Sequence, residues 1–290
     1  MSDINISTAK QVYGLSCVEN QVLTIMENNG INISPVYAHS GIPLKDLFVY
    51  FIENNGSYEN FDIIPRVQDT LKELGIITLS LNKSNVAKLK KSIFDTQKDE
   101  YILAKIAPEY VKKNLFARGW RNDHFVLITN EDGYRLTNDI PKITKNISED
   151  ELSEIYAGEY FKLKIIKNFT QNDIKFLWEN RMFKPENEVE YNFINENQIN
   201  LLDNIEKLRN MTVVYKVSRC RVKTYYSQYF DTAFMDEYIA EIEKILAFLG
   251  YVSIRKNADD KKIFETLQQL FDIHNILIKY LKENINERKN

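Results

Sequence analysis

The sequence predicts an α+β protein with a helical second part, and three observations support this. Apolar residues recur at helical spacing near the N terminus, β-branched and alternating segments follow up to about residue 168, and helical periodicity then returns to the end. Helices followed by a run of strands are typical of α+β domains. We therefore predict two domains, 1–168 with helices packed on an antiparallel sheet and 169–290 mainly helical.

The first predicted elements are three helices. The stretch from Ser16 carries apolar residues three and four apart and ends at "NNG", a common helix end. "INISPVYAHSGIPL" contains two prolines and a glycine and predicts a loop, after which "LKDLFVYFIENNG" is a second short helix. "IIPRVQDTLKELG" has a proline near its first turn and a glycine after its last, which predicts the third.

The predicted sheet follows these helices. "IITLSLNKS" is rich in β-branched residues, and "EYFKLKIIKNF" alternates polar and apolar side chains, so both predict strands. "EYILAKIAPEYVK" predicts a strand that leads into a loop. "DHFVLITNEDGYRLTNDIP" has two apolar runs around "NEDG", which favours a hairpin turn.

The second part has helical periodicity in four segments. They are "TQNDIKFLWENRMF", "NENQINLLDNIEKLRN", "FDTAFMDEYIAEIEKILAFLG" and the stretch from "ADDKKIFETL" to the end. The segment "MTVVYKVSRCRVKTYYSQYF" fits either a helix or strands, and periodicity does not decide between them.

Composition narrows the classes of function. The formal net charge is −3, so no basic field indicates nucleic acid or an anionic membrane as a partner. Two cysteines are too few for a disulfide framework and lack the spacing of a zinc site. The N terminus has no secretory pattern and no apolar run approaches a membrane span. We expect a soluble cytoplasmic protein without a bound metal.

A cysteine at the start of the first predicted helix is the candidate nucleophile. Cys17 directly follows the start of the apolar run, and the unpaired N–H groups of a helix N terminus stabilise a thiolate. A cysteine nucleophile also needs a base, a group that orients the base, and donors for the oxyanion. The alternative is an inert core thiol, the usual role of a single cysteine.

The predicted hairpin supplies the other members of this site. His124 begins its first strand, and Asp139 follows fifteen residues later at the end of the return strand. The hairpin brings these ends together, so we predict that Asp139 accepts a hydrogen bond from His124 and fixes its tautomer. Gln11, six residues before Cys17, is predicted to donate to the oxyanion beside the backbone N–H of Cys17.

The remaining histidines and the second cysteine have simpler interpretations. His39 lies in a loop rich in proline and glycine, which indicates a surface or loop-packing residue. His274 lies on an apolar helix face and is expected in the core. Cys220 is expected to be structural.

The order and spacing of Gln11, Cys17 and the hairpin from His124 to Asp139 resemble the papain-like cysteine peptidase superfamily. Within it, the pattern is similar to the bacteriocin-processing peptidases and to the N-terminal domain of the butirosin biosynthesis protein H family. That family has an aspartate next to a proline or close to it, and "NDIP", with one residue between the two, is a mild departure from this pattern. The resemblance covers roughly residues 8–168.

The resemblance implies a papain-like fold and an acyltransferase. Butirosin-H-like proteins and closthioamide-type amide synthetases take an acyl group from the phosphopantetheine thioester of a carrier protein and pass it to an amine. The expected partners are therefore an acyl or peptidyl carrier protein and an amine acceptor. The pantetheine belongs to the carrier, and the enzyme needs no bound cofactor.

A segment before the predicted base is a candidate substrate site. In "FARGWRND", Trp120 offers an apolar wall, and Arg118 or Arg121 offers a partner for a carboxylate or for the phosphate of a pantetheine arm. A polar loop with one buried tryptophan explains the segment equally well.

Two other functions remain open from the sequence. The same triad serves a cysteine peptidase or amidase, because exclusion of water decides between transfer and hydrolysis. A papain-like domain that binds a peptide or partner without chemistry is the other alternative. The presence of all four catalytic elements favours an enzyme.

Overall fold

A computed structural model describes residues 12–57, 66–115, 124–130, 132–139, 142–180, 201–255 and 260–289 of the 290-residue chain. In chain order its helices are α1 (Cys17–Asn28), α2 (Leu44–Phe48), α3 (Val67–Glu73), α4 (Val86–Phe94), α5 (Pro108–Asn114), α6 (Glu149–Ile155), α7 (Gln171–Asn180), α8 (Ile205–Tyr226), α9 (Phe234–Arg255) and α10 (Asp260–Lys289). A 3₁₀ turn spans Ser34–His39, and a π-helical turn spans Val49–Glu53. The strands are β1 (Ile77–Lys83), β2 (Glu100–Ile106), β3 (His124–Asn130), β4 (Tyr134–Asn138), β5 (Ile143–Ile147) and β6 (Tyr156–Ile165). The predicted α+β class is confirmed.

The chain divides into two compact units. The first contains Met1–Ile33 and Arg66–Ile174, and the second contains Ser34–Pro65 and Lys175–Asn290. The predicted boundary after residue 168 lies close to the division after Ile174. Residues 34–65 were predicted in the first domain but group with the second unit.

The first unit is built around one six-stranded sheet. Its strand order is β1-β6-β2-β3-β4-β5, and every neighbouring pair is antiparallel. The register places Leu103 of β2 opposite Leu127 of β3, and Leu127 opposite Thr137 of β4. Side chains alternate between the two faces of a strand, so residues of one parity in β2, β3 and β4 share a face.

The two faces of this sheet pack against different helices. On one face Ala104, Val126 and Leu136 join a buried cluster with apolar residues of α4, α5 and α6. On the opposite face Tyr101 exchanges hydrogen bonds with Asn29, at the end of α1, at 2.7 and 3.0 Å. Helix α1 therefore lies on the sheet face opposite α4, α5 and α6.

The strand predictions are confirmed at β1, β6 and the β3–β4 hairpin. Helices α4, α5 and α6 were not predicted, and α5 occupies part of the segment interpreted as a loop. They are nine, seven and seven residues long and bury two, one and two side chains each. So few apolar positions give little helical periodicity.

The second unit contains the three longest helices among the described residues. Residues 211–226 of the segment that fitted either a helix or strands lie in α8, which is 22 residues long. Ser218 of α8 accepts a hydrogen bond from the Ile42 N–H at 3.0 Å and donates to the Ser40 carbonyl at 2.7 Å. Arg219 donates to the Ile42 carbonyl. These contacts explain why residues 34–65 belong to this unit.

No helix in the described part of the chain has both the length and the apolar character needed to cross a membrane.

Candidate active site

Cys17 is the first residue of α1, as the sequence predicts. Ser16 is the N-cap, and its hydroxyl accepts a hydrogen bond from the Glu19 N–H at 3.2 Å. The Cys17 side chain is 5% exposed. Its sulfur is in hydrogen-bonding contact with the backbone of Phe125, the second residue of β3, so the helix start meets the start of the hairpin.

Burial raises the pKa of the Cys17 thiol to about 11. A hydrogen bond from the backbone of Phe125 works in the opposite direction, and the negative charge of Asp139 raises the pKa further. The backbone groups at the start of α1 lower it, but by less than burial raises it. The thiol is therefore protonated at neutral pH, and a reaction at this sulfur needs a base.

His124 is the first residue of β3, and its ring contacts the end of β4. Nε2 lies 2.6 Å from Oδ1 of Asn138, and both side chains are buried. A carbonyl oxygen only accepts, so Nε2 carries the hydrogen and donates it. Nδ1, also buried, is then the nitrogen with the lone pair in the neutral ring.

The residue on Nε2 is Asn138 and not the predicted Asp139, and strand alternation explains this. The β3–β4 register pairs Ile128 with Leu136, so His124 and Asn138 belong to the same face of the sheet as that pair. Continuing the alternation places Asp139 on the opposite face, where α1 lies. Asp139 is accordingly close enough to Cys17 for its charge to act on the thiol.

A buried hydrogen bond fastens the cysteine helix to the hairpin. The side-chain amide of Gln21, one turn after Cys17, donates to the Thr137 carbonyl at 3.2 Å. Thr137 directly precedes Asn138 in β4. Cys17 in α1 and Asn138 in β4, which Asp139 directly follows, thus lie on two elements joined by a specific polar contact.

The other predicted site residues divide into two groups. Gln11, Arg118, Trp120 and Arg121 lie outside the described residues. His274 and Cys220 are buried in α10 and α8, and His274 Nδ1 lies 3.1 Å from the Tyr215 hydroxyl, as expected for core residues. His39 ends the 3₁₀ turn in the second unit.

Within the described ranges, no group of three or more His, Cys, Asp or Glu side chains has the arrangement of a metal site.

Two features of the site were missed from the sequence. "SCVE" has the Ser-x-x-Glu spacing of a capping box, which fixes the helix start at Cys17. Asn138 was missed because Asp139, its neighbour in "TND", offers a stronger acceptor. The β3–β4 register places the side chains of Asn138 and Asp139 on opposite faces of the sheet, and that register depends on the number of residues in the turn.

No protein-family model matches the chain, and no curated protein matches it at a significant level.

Proposed function

We propose that the chain is a papain-like, cysteine-dependent acyltransferase that forms an amide from a carrier-protein thioester. The observation that carries the proposal is the meeting of Cys17, at a helix N terminus, with the hairpin ends that hold His124, Asn138 and Asp139. All four side chains are buried in one unit of the fold. A reducing cytoplasm is the setting that suits a free thiol.

In the first proposed step Cys17 becomes acylated. Because its pKa is about 11, the thiol is protonated at rest. Strand alternation places His124 on the face of the sheet opposite α1, so the step requires its ring, at the open end of the hairpin, to reach the thiol around the end of the sheet and to take the proton on Nδ1 while Nε2 donates to Asn138. The sulfur then attacks the thioester carbonyl carbon. The bond from carbon to the carrier sulfur breaks, and the imidazolium returns the proton to the departing thiolate. One thioester replaces another, so the step is close to isoenergetic.

In the second proposed step an amine takes the acyl group. Its nitrogen attacks the acyl-cysteine carbonyl carbon, His124 removes a proton from the nitrogen, and the bond from carbon to Sγ breaks. The thiolate of Cys17 leaves and is reprotonated by His124. Backbone N–H groups at the start of α1 are the donors available to the oxyanion, together with Gln11 as predicted from the sequence.

The proposal is tested by incubating the protein with an acyl carrier protein loaded as a thioester. Intact mass spectrometry of the wild type should detect one acyl adduct, which peptide mapping assigns to Cys17. Cys17→Ala should give none, and Cys220→Ala, which alters the other buried thiol, should acylate normally. Absence of an adduct on the wild type rejects the acyltransferase.

Addition of amines then distinguishes transfer from hydrolysis. An amide product supports the proposal, whereas release of only the free acid identifies a hydrolase with the same residues. His124→Ala should slow acylation by about 10²-fold or more, in the range expected for loss of a general base. A near-normal rate in this variant would exclude His124 as the base.

A further inference from the structure

The side chains of Glu19 and Asn20, which follow Cys17 and are buried, accept hydrogen bonds from the turn that precedes Cys17. Glu19 is 2% exposed and Asn20 is 6% exposed. Oε2 of Glu19 accepts a hydrogen bond from the Leu15 N–H at 2.6 Å, and Oδ1 of Asn20 accepts one from the Gly14 N–H at 3.0 Å. Residues 14 and 15 are therefore bound to the first turn of α1.

The other oxygen of Glu19 reaches a second segment of the same unit. Oε1 accepts a hydrogen bond from the Val67 N–H at 2.9 Å, at the first residue of α3. Arg66, the N-cap of α3, provides no side-chain cap. One buried carboxylate thus satisfies backbone donors from two segments, and a charge without such donors is costly to bury.

Gly14 fits this turn because it has no side chain. A Cβ built on Gly14 would lie 2.7 Å from the backbone nitrogen of Asn20, closer than real Cβ atoms approach. The turn therefore packs directly against α1. Its path is set by two side-chain acceptors and one close backbone approach.

We propose that Glu19 and Asn20 are positioning residues, which hold the turn Gly14–Ser16 so that Cys17 is buried against the start of β3 in a fixed orientation. The capping pair alone, Ser16 with Glu19, explains the start of the helix. It does not require Asn20 to hold Gly14, nor Glu19 to hold Val67. These additional bonds fix the nucleophile relative to the rest of its unit, as productive geometry requires.

The test compares Asn20→Ala with Asn20→Asp and Asn85→Ala. Asn20→Asp keeps an acceptor for the Gly14 N–H. Asn85 caps α4 by accepting from the Lys88 N–H at 3.0 Å, so Asn85→Ala removes a bond of the same kind in the same unit, away from Cys17. All variants carry Cys220→Ala, and circular dichroism confirms that each is folded.

The first readout is the pH dependence of Cys17 alkylation by iodoacetamide, which does not require the proposed reaction. In Asn20→Ala a loosened turn exposes the thiol, so the midpoint of the profile should fall. The rate at pH 8 should then rise by about tenfold for each pH unit by which the midpoint falls. Asn20→Asp should show no fall in the midpoint, because its added negative charge can only raise the thiol pKa. Asn85→Ala should stay near the parent. An Asn20→Ala profile that overlays the parent overturns the inference.

The second readout is acylation by the carrier thioester, and this arm alone rests on the proposed function. Asn20→Ala should acylate at least about tenfold more slowly while being alkylated faster, because orientation is lost as access is gained. Faster alkylation with unchanged acylation would overturn the positioning role. If the parent is not acylated but the alkylation midpoint still falls in Asn20→Ala, the proposed acyltransferase function is rejected, while the positioning role of Asn20 is supported.

If Asn20→Ala does not fold, Glu19→Gln gives the same comparison. Its amide keeps one acceptor oxygen and replaces the other by a donor that faces a backbone N–H. The same two readouts then apply, with the same outcomes for and against.

Discussion

Nε2 of His124 donates to Oδ1 of Asn138 at 2.6 Å, across the open end of the β3–β4 hairpin. This bond fixes the tautomer of the ring and leaves Nδ1 as its basic nitrogen. Both side chains are fully buried, so the ring is held by protein and not by solvent. The proposed base is therefore oriented by an amide, while the nearby carboxylate of Asp139 acts on the thiol.

Replacing Asn138 should impair acylation without unfolding the protein. Asn138→Ala removes the acceptor that orients the imidazole, and we expect kcat/KM for acylation to fall by about 10- to 100-fold, as for a lost hydrogen bond of about 1.5–3 kcal/mol. The control is Asn146→Ala, at an exposed position of β5. Retention of more than half the wild-type rate in Asn138→Ala would contradict the orienting role.

The alkylation profile of Cys17 should report its raised pKa. In a Cys220→Ala background, the rate with iodoacetamide should rise with pH towards a midpoint of about 11. Asp139→Asn removes a negative charge beside the thiol, so its midpoint should be lower than that of the parent. An Asp139→Asn midpoint equal to or above the parent value would show that the carboxylate does not act on Cys17.

The same pKa predicts a loss of stability in alkali. Folding raises the Cys17 pKa from 9.0 to about 11, so above pH 9 the unfolded chain loses the thiol proton first and the free energy of unfolding falls. Below pH 9 the contribution is fully present, and between pH 8 and pH 10 it decreases by about 1.4 kcal/mol. Urea unfolding at both pH values should show a smaller decrease for Cys17→Ala than for the wild type. Equal decreases would refute this linkage.

The bond between α1 and β4 should contribute measurably to stability. Gln21→Met keeps the length of the side chain but leaves the buried Thr137 carbonyl without its donor, at a cost of about 1–3 kcal/mol. Gln97→Met, at an exposed position, should change stability by less than about 0.5 kcal/mol. Urea denaturation measures both, and equal stabilities would show that the Gln21 bond contributes nothing.

In the second unit, Ser218 should contribute more to the free energy of unfolding than an exposed serine of the same helix region. Ser218→Ala removes the acceptor for Ile42 and the donor for Ser40, both buried, and should cost about 2–4 kcal/mol. Ser227→Ala loses only an exposed bond to the Thr224 carbonyl and should cost under about 0.5 kcal/mol. Comparable unfolding midpoints would mean that α8 does not hold the segment around Ser40 in this way.

Local sequence pattern predicted the elements that carry the site. The alternating strands, the "NEDG" hairpin and the helix that begins at Cys17 follow from side-chain periodicity and turn chemistry alone. Helices α4 to α6 did not, because one or two buried positions leave almost no periodic signal. The grouping of residues 34–65 with the second unit depends on contacts such as Ser218 with Ser40, which are 178 residues apart.

The candidate site was predicted as a set of positions and not as a set of bonds. Cys17, His124 and Asp139 were found from their places at element ends, which the structure confirms for Cys17 and His124. The assignment of Asn138 to the imidazole depends on strand parity, which changes if the turn gains or loses one residue. The hydrogen bonds by which Glu19 and Asn20 hold residues 14 and 15 depend on how closely the chain before Cys17 packs on α1. Local periodicity carries no information on that packing.

The buried state of Cys17 also bears on its chemical survival. With a pKa of about 11, only about one thiol in ten thousand is ionised at pH 7. Peroxide and disulfides react with the thiolate, so the resting protein should resist oxidation and adventitious modification far better than a free cysteine. Cys17 would then react only when a substrate is bound and the proposed base, His124, removes the thiol proton. The protein without substrate would keep its thiol unmodified.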